Sequence, residues 1–280
     1  MPRIFIVILL TLLAYSAVAE PLQYKFRVGN GVPYQYNFTI TGQMGMPGAQ
    51  GGATNCTMYA RLVDQVKSVG KDGAASMQMI IKNGAIAGEY GGSRFNEPVP
   101  YTTLTFDRSA TGTLRNLRYA VAAAKPDLPI PGFENAWLLF SRFGHHFLLP
   151  SQELRTGEGW KTREMIGLDT AKQLTLETGN KLVSAKVVNG KRYLQIDSTF
   201  QLTAPKQSIS LNEQGEGGNL TMEYSMAGAS YLLFDPQDGE VFRSMIKATV
   251  TTKAALDGNT KQAITGTFTV RGTAEKAGPR

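Results

Sequence analysis

Two histidines stand side by side at His145 and His146, and the chain has no others. Imidazoles hold a transition metal when both rings face one point, as side chains one helical turn apart do. Neighbours on a helix diverge by about 100°, so a pair on the helix expected here does not readily share an ion. The two are therefore expected at a helix end, one partly buried and one solvated, with titration near neutral pH as their available chemistry. The run DPQDGE from Asp235 to Glu240 has the residue types of a calcium loop. Its second Asp falls at position four and its Gly at five, where the EF-hand loop needs acids or amides at three and five and Gly at six. Glu153, Glu158 and Glu164 supply carboxylates without the paired arrangement that acid–base chemistry needs. Gly-x-Ser-x-Gly, His-Glu-x-x-His and a phosphate loop ending in Gly-Lys-Ser/Thr are all missing from the sequence. The residues thus assign no catalytic group, no metal ligand and no cofactor. A hydrolase built on the three glutamates is the remaining enzymatic alternative.

The chain ends and the composition set the setting for whatever binds. Met1-Pro2-Arg3, an apolar run from Ile4 to Leu13 and Ala17-Val18-Ala19 read as a secretory signal peptide over 1–19. The apolar run falls short of the ~20 residues that span a bilayer, so the expected product is periplasmic or secreted and spans no membrane. Cys56 is the only cysteine, which removes any intrachain disulfide and leaves stability to the hydrophobic core. It is expected to be a small buried apolar residue. Twenty-nine Lys and Arg outweigh 22 Asp and Glu, but they are scattered along the chain. A nucleic-acid partner, which calls for a concentrated basic face, is therefore not expected.

Alternation with period two dominates. Tyr34, Tyr36, Phe38 and Ile40 are separated by Gln35, Asn37 and Thr39, and the scheme recurs at Leu194, Ile196, Phe200 and Leu202, and at Leu220, Met222, Tyr224 and Met226. Such runs predict half-buried antiparallel strands. Asp72-Gly73, Asn189-Gly190, Asp238-Gly239 and Asp257-Gly258 supply hairpin turns between them. The run RVGNG at Arg27 to Gly31 returns as RTGEG at Arg155 to Gly159, a step of 155 − 27 = 128, and Phe106-Asp107 returns at Phe234-Asp235 with the same step. The spacing predicts a duplicated unit, roughly Leu22 to Arg118 and Leu154 to Lys253. In each copy the Asp is expected to bond its own backbone and start a turn.

Phe133, Trp137, Phe140, Gly144 and Phe147 recur at steps of four and three, which predicts a helix with one apolar face after the Pro-rich KPDLPIPG and before Pro150. The expected organisation is β unit 1 over 20–124, connector and amphipathic helix over 125–153, and β unit 2 with a C-terminal strand and tail over 154–280. The fold class is mainly β, with two related, curved antiparallel sheets and the helix between them on their apolar faces.

With RVGNGVPYQYNFTI, VKSVGKDGAASMQMII, Leu149-Pro150 before GEGW, and FDPQDGEV in view, the chain resembles bacterial secreted and lipoprotein families of duplicated, half-barrel-like β-meander build. It departs from the lipoprotein members in lacking the Cys, directly after the leader, that would be acylated. The resemblance implies a curved half-barrel with a helix on its concave side, and it brings no catalytic residue. The reading is a non-enzymatic, exported binding or accessory protein with an apolar interior for a lipid or other hydrophobic ligand, lined by Phe133, Trp137, Phe140, Phe147 and Trp160. The alternative is a structural module whose partner is another protein of the cell envelope.

Overall fold

A computed structural model of the 280-residue chain describes residues 19, 21–29, 31–45, 52–90, 92–99, 101–120, 136–166, 173–204, 206–210, 219–256 and 263–278. The signal-peptide run, the Pro-rich connector, Phe133, the Asp257-Gly258 turn and positions 46–51 of the Gly-rich run lie outside the described residues, as does the side chain of Trp137.

Among the described residues, thirteen strands form one antiparallel sheet. They are β1 (Gly31–Gly45), β2 (Gly52–Val69), β3 (Ala75–Tyr90), β4 (Ser93–Val99), β5 (Thr102–Arg108), β6 (Leu114–Tyr119), β7 (Gly159–Ile166), β8 (Leu174–Val188), β9 (Lys191–Thr203), β10 (Gln207–Ser210), β11 (Asn219–Asp235), β12 (Glu240–Leu256) and β13 (Ile264–Lys276), with one helix, α1 (Ala136–Phe143), between β6 and β7. The order is β6-β5-β3-β2-β1-β13-β12-β11-β9-β8-β7, with β4 on β3 and β10 on β11 as side branches. The mainly β expectation holds. The two sheets expected from the repeat are instead one, because β1 pairs along its length with β13, from Tyr34↔Lys276 to Gly45↔Thr265. Two separate sheets would each have left a free edge here, and pairing the first and last strands removes both.

Period two sets the faces as read. In β1, Tyr34, Tyr36 and Phe38 are buried while Gln35, Asn37 and Thr39 are exposed. Hairpin turns use the residues that tolerate positive φ: Asn189 at 51° and Gly190 at 76° join β8 to β9. Gly29 and Gly157, in the two R-x-G motifs, also have positive φ. Each donates its N–H to the second strand of the hairpin that follows, at Val66 and Leu182.

The Phe-Asp corners share burial but differ in bonding. Phe106 and Phe234 are both core residues. Asp235 Oδ1 accepts from the N–H groups of Gln237 and Asp238, at 3.0 and 3.1 Å, as a turn-starting Asp should. Asp107 instead accepts from Asn116 Nδ2 at 2.6 Å, and its turn is closed by Ser109 Oγ accepting from Thr113 N–H.

The helix is shorter than its hydrophobic spacing suggests. It stops at Phe143, and Gly144 and His146 turn back on it, donating their N–H groups to the carbonyls of Phe140 and Ser141. The Tyr36 hydroxyl packs where a side chain at residue 144 would begin, so only Gly fits there. Beyond it the chain runs as a strap. Leu149 N–H donates to Thr111 O, the Phe147 carbonyl accepts from Tyr24 Oη at 2.8 Å, and Trp160 Nε1 donates to Leu148 O at 3.2 Å. Phe140 stacks on Phe38 with ring centroids 3.9 Å apart, and Phe143 meets Phe200 at 4.2 Å. Among the described residues, no helix is long and apolar enough to cross a membrane.

Arg142 shows how the sheet is shaped. Its side chain is almost wholly buried. Nη1 donates to the carbonyls of Gly112, in the β5–β6 turn, and of His146, while Nε and Nη2 grip both oxygens of Glu164 on β7, Nε at 2.9 Å. One guanidinium thus reaches both ends of an eleven-strand path, so the sheet is curled and the helix with its strap closes the gap. Breaking a buried pair leaves an uncompensated charge, at a cost of about 3 kcal/mol or more. Arg142→Gln should therefore lower the unfolding free energy in urea by about 3 kcal/mol, with part of the loss recovered in the double variant with Glu164→Gln. An Arg142→Gln variant with unchanged stability would contradict the clasp.

Candidate functional site

The inward positions of β2 run Cys56, Met58, Ala60, Leu62, Asp64 and Val66, all buried. Five are apolar and the fifth in order is an acid. On β5 the inward set is Thr102, Leu104, Phe106 and Arg108, so a base ends that series. The strap brings His145 and His146 between these strands. Asp64, Arg108, His145 and His146 are each less than 5% exposed. Isolated charges in such a place are costly unless paired and bonded.

Both imidazoles converge on one carboxylate oxygen: His145 Nε2 and His146 Nε2 each lie 3.0 Å from Asp64 Oδ2. Neither Nε2 is aligned for a hydrogen bond, and Asp64 Oδ1, His146 Nδ1 and Arg108 Nε also have no hydrogen-bond partner. Arg108 Nη1 is 3.9 Å from the same Asp64 oxygen, and its Nη2 donates to the His145 carbonyl at 2.7 Å. The guanidinium carbon sits 3.5 Å over the ring of Tyr24, a cation–π contact in a desolvated setting. Tyr36 Oη is hydrogen-bonded to His145 Nδ1. Tyr34 stacks on the His145 ring at 4.1 Å, and Phe106 meets His146 edge-on at 5.0 Å. The rings are thereby clamped from several sides.

The histidines do follow the helix end, but the expectation of one partly buried and one solvated ring is corrected. Both are buried, and neither lies on the helix. Because α1 stops at Phe143, the divergence of helical neighbours does not apply, and the two rings reach a common point. The signal that would have found Asp64 and Arg108 was present in the period-two pattern, as charged residues on inward positions.

Burial opposes ionisation of Asp64, but the imidazoles of His145 and His146 on its Oδ2 outweigh it and hold the carboxyl below the usual range. Burial pushes His146 well below its ordinary value and so keeps it neutral, though Asp64 works the other way. Burial likewise raises the phenols of Tyr34 and Tyr36. Beside the cluster lies a recess of about 180 Å³, lined by Tyr24, Tyr34, Asp64, Arg108, Glu240 and Lys276 among others. The arrangement can take up a proton or present two nitrogens and an oxygen to a metal ion.

The residues expected to line an apolar site fall in two places. Phe140 belongs to the main core, with Phe38, Met58 and Leu62. Phe147 and Trp160 belong to a second cluster, with Tyr24, Leu154 and Phe234. The three glutamates have separate tasks where their bonds are seen: Glu164 holds Arg142, and Glu158 accepts from the Arg155 N–H at 2.8 Å. The carboxylates of DPQDGE are taken by a base, for Lys191 Nζ lies 2.5 Å from Asp235 Oδ2 and 2.6 Å from Asp238 Oδ2. Cys56 is buried, as expected, and burial raises its thiol.

No family model matches the chain, and no curated protein does. Among solved structures, a lipovitellin determined for its lipid–protein interactions is similar over 91% of this chain, at 9% identity and a TM-score of 0.48. The chain spans 26% of that protein's length. A protein of unknown function from the DUF3598 family of Nostoc punctiforme aligns over 86% of this chain and 95% of its own, at 8% identity and a TM-score of 0.10. Neither likeness carries an argument about function.

Acid should unfold this centre in a defined order. His146 is neutral in the folded chain and ordinary in the unfolded one, so below about pH 6.5 the unfolded chain binds a proton that the folded chain refuses. In chelator-containing buffer, stability to urea should fall by up to about 1.4 kcal/mol per pH unit below that point, and His146→Gln should flatten the slope. The contribution of Asp64, present above the ordinary carboxylate value near ~4, is lost only as pH falls further. A urea midpoint unchanged between pH 7 and pH 5 would contradict the buried neutral histidine.

Proposed function

We propose that the chain is an exported binding protein for an apolar ligand, a lipid or other hydrophobic molecule, taken up on the inner face of the curled sheet. The carrying observation is the extent of that face. Buried apolar residues spread from Phe106 on β5 through Leu62 on β2 and Phe38 on β1 to Phe200 on β9 and Leu176 on β8. Among the described residues, one eight-residue helix covers it.

The space left beside the helix is small. A cavity of about 10 Å³ lies between Arg142, Phe143, Phe147 and the strands carrying Leu176 and Phe200, which is no more than a single water needs. A ligand therefore takes the place of α1 side chains rather than joining them. Phe140 and Phe143, stacked on Phe38 and Phe200, are the groups it replaces, and the Arg142 clasp holds the cover in position. Export is supported by the leader-like pattern of Met1 to Ala19.

Organic extraction and mass spectrometry of the purified protein, with titration by a fluorescent fatty acid, test this reading. An acyl compound in the extract, or saturable uptake that rises in Phe140→Ala as the inner face is uncovered, is expected. No lipid in the extract, with no uptake by the wild type or by Phe140→Ala, would overturn it.

A further inference from the structure

The buried polar centre has no part in holding an apolar ligand, and hydrogen bonding does not account for its geometry. We propose that Asp64 Oδ2, His145 Nε2 and His146 Nε2 form a binding site for one divalent first-row transition-metal ion of the zinc type. The two histidines are the only ones in the chain, and the topology brings both to one oxygen.

Three observations carry the assignment. First, each Nε2 lies 3.0 Å from Asp64 Oδ2 without the alignment of a hydrogen bond. Ligand atoms ~2.1 Å from a common ion, and near a right angle at it, stand ~3.0 Å apart, so the spacing is that of neighbouring ligands. Second, the three side chains are buried together, and their ligand atoms lie within 4.8 Å of one another. Asp64 Oδ1 and both Nε2 atoms are left without any hydrogen-bond partner, a cost that a native interior seldom carries unexplained. Third, the outer contacts are those that prepare a metal ligand. When Nδ1 carries the ring proton, the Tyr36 hydroxyl accepts a hydrogen bond from His145 Nδ1–H, which leaves the Nε2 lone pair for the ion. Tyr34 and Phe106 fix the planes of the two rings.

The donor set chooses among ions. Two imidazoles and one carboxylate suit zinc and its neighbours, whereas calcium and magnesium need more oxygens than this centre offers. Arg108, 3.9 Å from the same oxygen, disfavours a naked dication and favours a negatively charged further ligand, hydroxide or a carboxylate. The recess lined by Asp64 and Arg108 is the place from which such a ligand arrives.

Untagged full-length protein tests the site, since an affinity tag would add histidines. The protein, stripped with EDTA in mild urea and returned to buffer with Zn²⁺ or Co²⁺, is analysed for metal content, visible absorption of Co²⁺ and thermal midpoint. One equivalent of metal per chain, a five-coordinate Co²⁺ spectrum and a midpoint raised by metal are expected. His146→Gln and Asp64→Asn should each weaken binding by at least about 100-fold, and Tyr36→Phe, which keeps the ring and its packing, by about tenfold. Wild-type protein that folds but holds neither ion would overturn the proposal, whether or not the variants fold. So would binding unchanged in Tyr36→Phe and in either ligand variant, which would place the ion elsewhere. Fatty-acid uptake by metal-free protein reads the apolar site separately, so either reading can fail alone.

Discussion

The closure of the sheet rests on one guanidinium. An antiparallel sheet with two outer strands exposes unpaired backbone groups at both, and chains usually protect such edges by covering or joining them. Here the two margins are drawn together by Arg142, which spends its donors on the β5–β6 turn, on the strap and on Glu164 of β7. The fork geometry of Arg makes this possible, since a Lys in its place offers one point charge and no planar set of donors. Curling the sheet in this way turns its apolar face inward and converts one wide layer into the wall of an enclosed core.

The strap that closes the core also carries its most polar residues. Gly144 ends the helix because Tyr36 fills the space beside it, and the two residues that follow are the histidines. Their carbonyls are held by Arg108 and Arg142, so the backbone that positions the rings is fixed by the same cations that tie the strands together. A cluster of this kind is costly to bury unless its members satisfy one another. The apolar face and the polar centre are thus parts of one construction, with the helix packing into the first and the strap presenting the second.

Much of the architecture was readable in order along the chain. The strands of β1, β9 and β11, the Asn189-Gly190 hairpin and the buried Phe106 and Phe234 all follow from period two and from residues that accept positive φ. The centre was half legible. His145 and His146 were visible as a pair, but assuming that the helix continued through them sent the rings apart. Asp64 and Arg108 were visible as charged residues on inward positions of β2 and β5, a departure from pattern that points to a partner without saying which.

By itself, then, the sequence determined the strand class, the alternation of faces, the turns and the absence of intrachain disulfides, because each depends on residues a few positions apart. Only the tertiary structure decided that the halves share one sheet through β1 and β13, that α1 stops at Phe143, and that Asp64 meets two histidines some eighty positions away. Those outcomes depend on long-range pairing and on the space beside Gly144. Both arise when distant surfaces meet, and no local periodicity encodes them.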